Sequence, residues 1–278
     1  MSTVGLVVHE GRDAAVAAAA ELRSTLEAAG VRCVDLTSGS PAVDLAVAVG
    51  GDGTFLRAAY LAAQMRVPVL GVKVGRLGFL TEVEPPEAAD LIAEALAGRA
   101  RIEERLTVVA EPVEGEAFPP QWALNEIMVE KNARHRLIRL RVEVDGDYVT
   151  TFSADGVIVA TPTGSTAYSF SARGPIVSPD VPTLILTPIS PHMVFDRSFV
   201  LASDQTVVLT VVGDEPGLVS ADGRQSEELP LGTAVRIRAS TRPARLVRRS
   251  TGSSFLARVR DKFDLPGEPP PGDVGGDG

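Results

Sequence analysis

Between Asp44 and Tyr60 the chain reads DLAVAVGGDGTFLRAAY. Leu45 to Val49 is an apolar run of strand length. Gly50, Gly51 and Gly53 then surround a single aspartate, Asp52, and a helix follows, opened by Thr54. A strand that breaks into glycines and resumes as a helix outlines a phosphate or nucleotide site. The free N–H groups and dipole of a helix start attract anions, and glycine lets a ligand approach the backbone. Asp52 is at odds with that scheme, because its charge repels the phosphates that the turn attracts. The turn alone leaves two uses for it: an active one, on a proton, metal or sugar hydroxyl, and a turn-capping one.

The flanking sequence puts this turn in an α/β sheet. Strands are predicted at Val4 to Val8, Val31 to Leu36 and Val67 to Val72. Helices are predicted from about Asp13, as N-cap, to Ala29, from Thr54 to about Gln64, and from Glu84-Pro85-Pro86 to about Gly98. Such alternation implies a parallel sheet covered by helices, with ligands at the carboxyl ends of its strands. Asp52 lies at such an end, and so does the loop Lys73 to Leu80.

After Arg101 the pattern shifts to alternating, β-branched runs, among them Leu106 to Val113, Ala123 to Val129, Arg136 to Val144, Val157 to Ala160 and, last, Ala244 to Arg248. Asp145-Gly146 marks a hairpin. The expected organisation is an N-terminal parallel-sheet α/β domain (residues 1–104) followed by a mostly antiparallel β-rich domain (105–249). A helix in 250–265 returns to the first domain, and 266–278 form a disordered, Pro- and Gly-rich tail.

Composition narrows the function. A net charge of −9 argues against a general nucleic-acid binder, while local arginines still permit a small anionic ligand. No apolar run reaches membrane-span length, and Met1 to Val8 carries no signal-peptide pattern. Cys33 is the single cysteine, which excludes an internal disulfide or a Cys-rich zinc site. A cytoplasmic protein without nucleic-acid or membrane partners is expected. His9, His135 and His192 are isolated, so no protein metal site is predicted.

Several chemistries drop out on motif. The GGDGT spacing fails the dinucleotide fingerprint, and no G-x-x-x-x-G-K-[ST], H-E-x-x-H or G-x-S-x-G occurs. Three other stretches carry signal. In Ala154 to Pro175 (ADGVIVATPTGSTAYSFSARGP) a strand runs into small hydroxyl and glycine residues at a helix start. That suits ribose, adenine edges or phosphate, and equally a well-capped helix. Asn125-Glu126 interrupts the apolar run ALNEIMV. A buried carboxylate there needs a partner or ligand, whereas a strand edge would leave Glu126 in solvent. Asp222-Gly223 reads first as a hairpin turn.

Taken in order, GGDGT (50–54), GRLGFLTE (75–82), LNE (124–126), DGVIVATPTGSTAYSFSARGPI (155–176) and ADGR (221–224) closely resemble the NAD kinase family. The GGDG turn alone is shared with diacylglycerol, sphingosine and phosphofructokinases. The resemblance implies the two-domain NAD kinase/diacylglycerol kinase-like fold, a homodimer or homotetramer, and phosphoryl transfer from ATP or polyphosphate to the 2′-hydroxyl of the adenosine ribose of NAD. A divalent metal, Mg²⁺ or Mn²⁺, would enter with ATP. By resemblance Asp52 is the catalytic carboxylate, Gly51, Gly53 and Thr54 hold the phosphates at the helix start, and Arg57 is a further cofactor-binding residue. Phe79, with Leu80, is an apolar wall. Asn125 and Glu126 bind ribose and adenine, and Thr163, Thr166, Ala167, Tyr168 and Ser171 form the nucleoside pocket. Asp155 matches the nicotinamide end. Lys73, where many members have asparagine, and Ser153, where some have arginine, depart from the pattern. A lipid or sugar kinase, or a non-catalytic NAD(P) binder, is the alternative.

Overall fold

The computed structural model describes residues 1–39, 41–75, 78–224, 226–250, 252 and 254–266. Arg76 and Leu77 of the GRLGFLTE run, and residues 267–278 of the expected tail, lie outside the described residues.

The N-terminal part alternates β1 (Thr3–Val8), α1 (Asp13–Ala28), β2 (Arg32–Asp35), β3 (Leu45–Gly50), α2 (Asp52–Met65), β4 (Val69–Lys73), α3 (Pro85–Leu96) and β5 (Arg101–Arg105). All six residues of β3 are buried, as expected for a central strand covered on both faces. Strands β1 to β4 are parallel. Leu22, Leu26, Leu91 and Ile92 of α1 and α3 pack on one face of the sheet, and Phe55, Ala58 and Ala62 of α2 on the other. Helix α1 starts one residue earlier than the sequence suggests: Arg12 is the N-cap and Asp13 the first helical residue. Helix α2 starts two residues earlier, at Asp52, with Gly51 as N-cap.

The β-rich part contributes β6 (Val108–Pro112), β7 (Gln121–Ala123), β8 (Glu126–Lys131), β9 (Ile138–Val144), β10 (Asp147–Ala154) and β11 (Gly156–Ala160). After the short helix α4 (Tyr168–Ser171) come β12 (Thr183–Ile189), β13 (Phe199–Ala202), β14 (Val207–Val212), β15 (Gly217–Ala221), β16 (Glu227–Leu229) and β17 (Ala234–Ala239). They form two six-stranded antiparallel sheets, ordered β10-β9-β14-β17-β6-β7 and β13-β12-β11-β8-β15-β16. The sheets share one core, in which Ile127 and Val129 of one meet Leu140, Leu209 and Ile237 of the other. Strict alternation along β8 buries Ile127 and Val129 there and turns Glu126, Met128 and Glu130 to the other face.

Strand β18 (Ala244–Arg248), expected with the β-rich segment, instead joins the first sheet, whose order is β2-β1-β3-β4-β18-β5. It lies parallel to β4 and antiparallel to β5. An isolated five-residue run cannot declare its partner, because its apolar pattern fits either sheet. Helix α5 (Phe255–Phe263), capped by Ser254, then sets Phe255 and Phe263 against Phe79, with ring centroids 6.5 and 5.9 Å apart. The two parts also meet where Trp122 and Leu124 enter the α2-side core. There the Arg224 guanidinium lies 4.1 Å from the Tyr60 ring, a cation–π contact worth about 0.5–2 kcal/mol.

Candidate active site

A cavity of about 440 Å³ opens between the first sheet and the exposed face of the β8 sheet. Asp52 reaches it from the first turn of α2, where the helix dipole favours a carboxylate. Its orientation comes from the β4–α3 loop: the Phe79 amide donates to Oδ2 at 3.0 Å and the Leu80 amide to Oδ1 at 3.1 Å. Gly78 makes this possible, since a Cβ there would stand 2.1 Å from Oδ1. Each carboxylate oxygen of Asp52 has the capacity to accept a further hydrogen bond.

The second wall is built on a break in a strand. The run expected from Ala123 to Val129 divides into β7 and β8, with Leu124 and Asn125 between them. The cause is Asp222. Its side chain, fully shielded from solvent, accepts the amides of Leu124 (2.8 Å), Asn125 (2.8 Å) and Glu126 (3.1 Å). Thr161 closes the other side, donating to Leu124 O at 2.6 Å. Gly164 packs against Asn125 so closely that a Cβ would meet its carbonyl at 2.2 Å.

Asn125 Oδ1 and Glu126 Oε2 are buried and have no hydrogen-bond partner. Burial, and then the Asp222 charge, push the Glu126 pKa up to about 8. Burial also raises the Asp222 pKa, opposed by its three amide donors and by Arg224 at 3.6 Å. A neutral Glu126 carboxyl can both donate and accept a hydrogen bond, which suits a sugar hydroxyl.

Thr163, Thr166, Ala167 and Tyr168 complete the lining together with Phe79, Leu80, Asn125 and Glu126. The helix predicted from Ala167 is shorter than its signal: Thr163–Thr166 is a 3₁₀ turn, and α4 has four residues. Two expected residues stand elsewhere. Ser171, at the end of α4, is exposed and borders no described cavity. The Asp155 carboxylate pairs with Lys131 and also stays off the lining. Gly51, Gly53, Thr54 and Arg57 line a separate cleft of about 490 Å³, with His9 and Arg12. A further cleft joins the two spaces, sharing Asp52 and Lys262 with the cavity and Gly51 and Arg12 with the helix-start cleft. Lys73 pairs with Glu84 at 2.8 Å.

Met128, Ser220, Phe263 and Arg12 border these spaces without being expected there, and Asp222, expected first as a hairpin residue, joins them. Asp222 does sit in a turn, with φ of 51°, as Asp-Gly suggests. That its carboxylate points inward leaves no mark in the local sequence. Arg12 donates to Val74 O at 2.7 Å, a contact across 62 residues.

Two family models cover most of this architecture. The ATP-NAD kinase N-terminal domain matches residues 36–100, and the ATP-NAD kinase C-terminal domain matches 124–249. A Heliobacterium modesticaldum NAD kinase is 41% identical over 95% of this chain and 99% of its own. The chain belongs to the NAD kinase family. Among solved structures, an Archaeoglobus fulgidus NAD kinase in complex with ATP is 27% identical, with a TM-score of 0.74 over 95% of this chain and 97% of that one. Yeast NADH kinase complexed with NADH has the same fold, with a TM-score of 0.85 at 23% identity over 96% and 89% of the two chains.

Proposed function

We propose that this chain transfers a phosphoryl group from ATP or inorganic polyphosphate to the 2′-hydroxyl of the adenosine ribose of NAD, giving NADP. The observation that carries the assignment of parts is the pairing, in one cavity, of an oriented carboxylate with buried acceptors that lack partners. Asp52 accepts the proton of the attacking hydroxyl, the role that phosphoryl transfer leaves to a side chain. Asn125 and Glu126 take the ribose hydroxyls and adenine edge, which satisfies Asn125 Oδ1 and Glu126 Oε2. Thr163, Thr166, Ala167, Tyr168 and Phe79 enclose the nucleoside. Asp155 lies off this cavity, and we place it beside the distal, nicotinamide half of NAD.

The donor phosphates lie along the Gly51, Gly53 and Thr54 backbone, with Arg57 and Arg12 as cations. A divalent ion would be carried by the donor phosphates, since Mg²⁺ commonly takes one or two carboxylates and fills its shell with phosphate and water. Asp52 and Glu10 are the carboxylates bordering these clefts, and the ion would neutralise charge on the transferred group.

A homo-oligomer in the cytoplasm completes the reading. No helix among the described residues is long and apolar enough to cross a membrane. Phe195 and, within the edge strand β13, Val200 are exposed, a surface that a second copy would cover. A coupled assay for NADP with NAD, Mg²⁺ and either ATP or polyphosphate tests the activity; no NADP from either donor refutes it.

A further inference from the structure

Behind the wall formed by Phe79, Leu80, Thr163 and Thr166 lies a second cavity, of about 260 Å³, which shares those four residues with the first. Five guanidinium groups border it: Arg101, Arg105, Arg248, Arg249 and Arg258. Three lining carboxylates stand against them, Glu82, Glu103 and the exposed Asp180, and outside the lining Glu87 pairs with Arg249 at 3.2 Å. The buried Glu82 and the half-buried Glu103 are already engaged. Glu82 accepts from Arg248 Nη1 and Arg258 Nη2, both at 2.8 Å, and from the Arg249 amide at 2.9 Å. Glu103 accepts from Arg248 Nε at 2.9 Å and from Arg105 Nε.

Donors remain after these bonds. Arg248 is 3% exposed, and its Nη2 is buried without a hydrogen-bond partner, as is Arg249 Nε. Arg101 is exposed at the rim and has no ion-pair partner among the described residues. A buried guanidinium N–H without an acceptor is costly. The arginines also repel one another: burial first, and then the Arg248 charge, lower the Arg105 pKa. A tetrahedral oxyanion relieves both costs, because its oxygens accept from several guanidinium forks at once.

We propose that this arginine-lined cavity is an oxyanion site that takes phosphate or diphosphate, distinct from the substrate cavity and from the helix-start cleft. It shares no lining residue with that cleft. Its arginines hold the dividing wall: Arg248 Nη1 donates to Leu80 O, Arg258 Nη1 to Phe79 O and Arg105 Nη1 to Thr163 Oγ1, each at 3.2 Å. A bound oxyanion therefore stiffens the segment whose amides orient Asp52.

The test is binding, and needs no turnover. Substrate-free protein is titrated with inorganic phosphate and with diphosphate at constant ionic strength, followed by calorimetry and thermal unfolding. The expected result is saturable binding and a Tm rise of roughly 3 °C at ten times Kd. Arg101→Gln/Arg249→Gln should lose that response, with folding verified by circular dichroism. Arg101→Gln alone, a rim change, should weaken binding about threefold. Arg57→Gln removes a cation of the helix-start cleft and should leave the Arg101/Arg249-dependent part of the response in place. An undiminished response in the Arg101/Arg249 variant, loss of the whole response in Arg57→Gln, or no saturable binding by wild type overturns the proposal.

Discussion

Asp52 and Glu126 face the same cavity, yet their surroundings differ in kind. The Asp52 carboxylate accepts two backbone amides and stands at a helix N-terminus. Glu126 Oε2 is buried with no donor at all, next to the buried Asp222. Desolvation and a like charge favour the protonated form of a carboxyl, and both act on Glu126. One cavity thus holds a carboxylate fixed in place by backbone donors and another pushed toward neutrality. This division lets the two residues take different parts, proton acceptor on one side and hydroxyl partner on the other.

Asp222 holds the second wall in place, so its loss should have the largest effect. Asp222→Ala leaves the amides of Leu124, Asn125 and Glu126 without an acceptor. We expect a loss of about 3 kcal/mol, read as a Tm lowered by roughly 6–12 °C; an unchanged Tm would show that water replaces the carboxylate freely. Asp52→Asn keeps the shape and removes the base. It should lower kcat at least about a hundredfold with Tm preserved, and near-wild-type turnover would return Asp52 to a turn-capping role.

Gly78→Ala probes the orientation of Asp52 rather than its charge. The new methyl group would displace the carboxylate from 2.1 Å away, so kcat should drop roughly tenfold while KM for NAD changes less. Equal changes in both would mean that the loop serves binding alone.

The smallest effect concerns Glu126 and pH. Its pKa rises from 4.5 in the unfolded chain to about 8 in the folded protein. Folded protein therefore binds more protons between those values, and stability falls as pH rises. Between about pH 5 and pH 8.5, wild type should lose a few degrees of Tm that Glu126→Gln keeps. Identical slopes for the two proteins would remove Glu126 as the titrating group.

Much of this was readable from the chain. The glycine pattern at 50–53 and the apolar run before it admit little except a buried strand turning into a helix. Chain order alone also carried the family, because five short motifs in one sequence order are far more specific than any one of them. The Asn125-Glu126 pair announced itself as polar residues in an apolar run. These signals are local, and local physics suffices to read them: alternation, glycine freedom and the cost of buried charge.

Other features needed the folded chain. Ala244–Arg248 has an ordinary strand pattern, and only its pairing with β4 and β5 puts it in the first sheet. Asp222 reads as a hairpin residue until its side chain is seen capping amides 96 to 98 positions away. The same holds for the arginine cavity, assembled from β5, β18 and α5, whose charges are scattered through the sequence. Composition and spacing determined the elements and the type of chemistry. Tertiary structure decided which carboxylate is held by loop amides, which is stranded and which caps a broken strand, because desolvation and long-range hydrogen bonds depend on neighbours that sequence distance does not reveal.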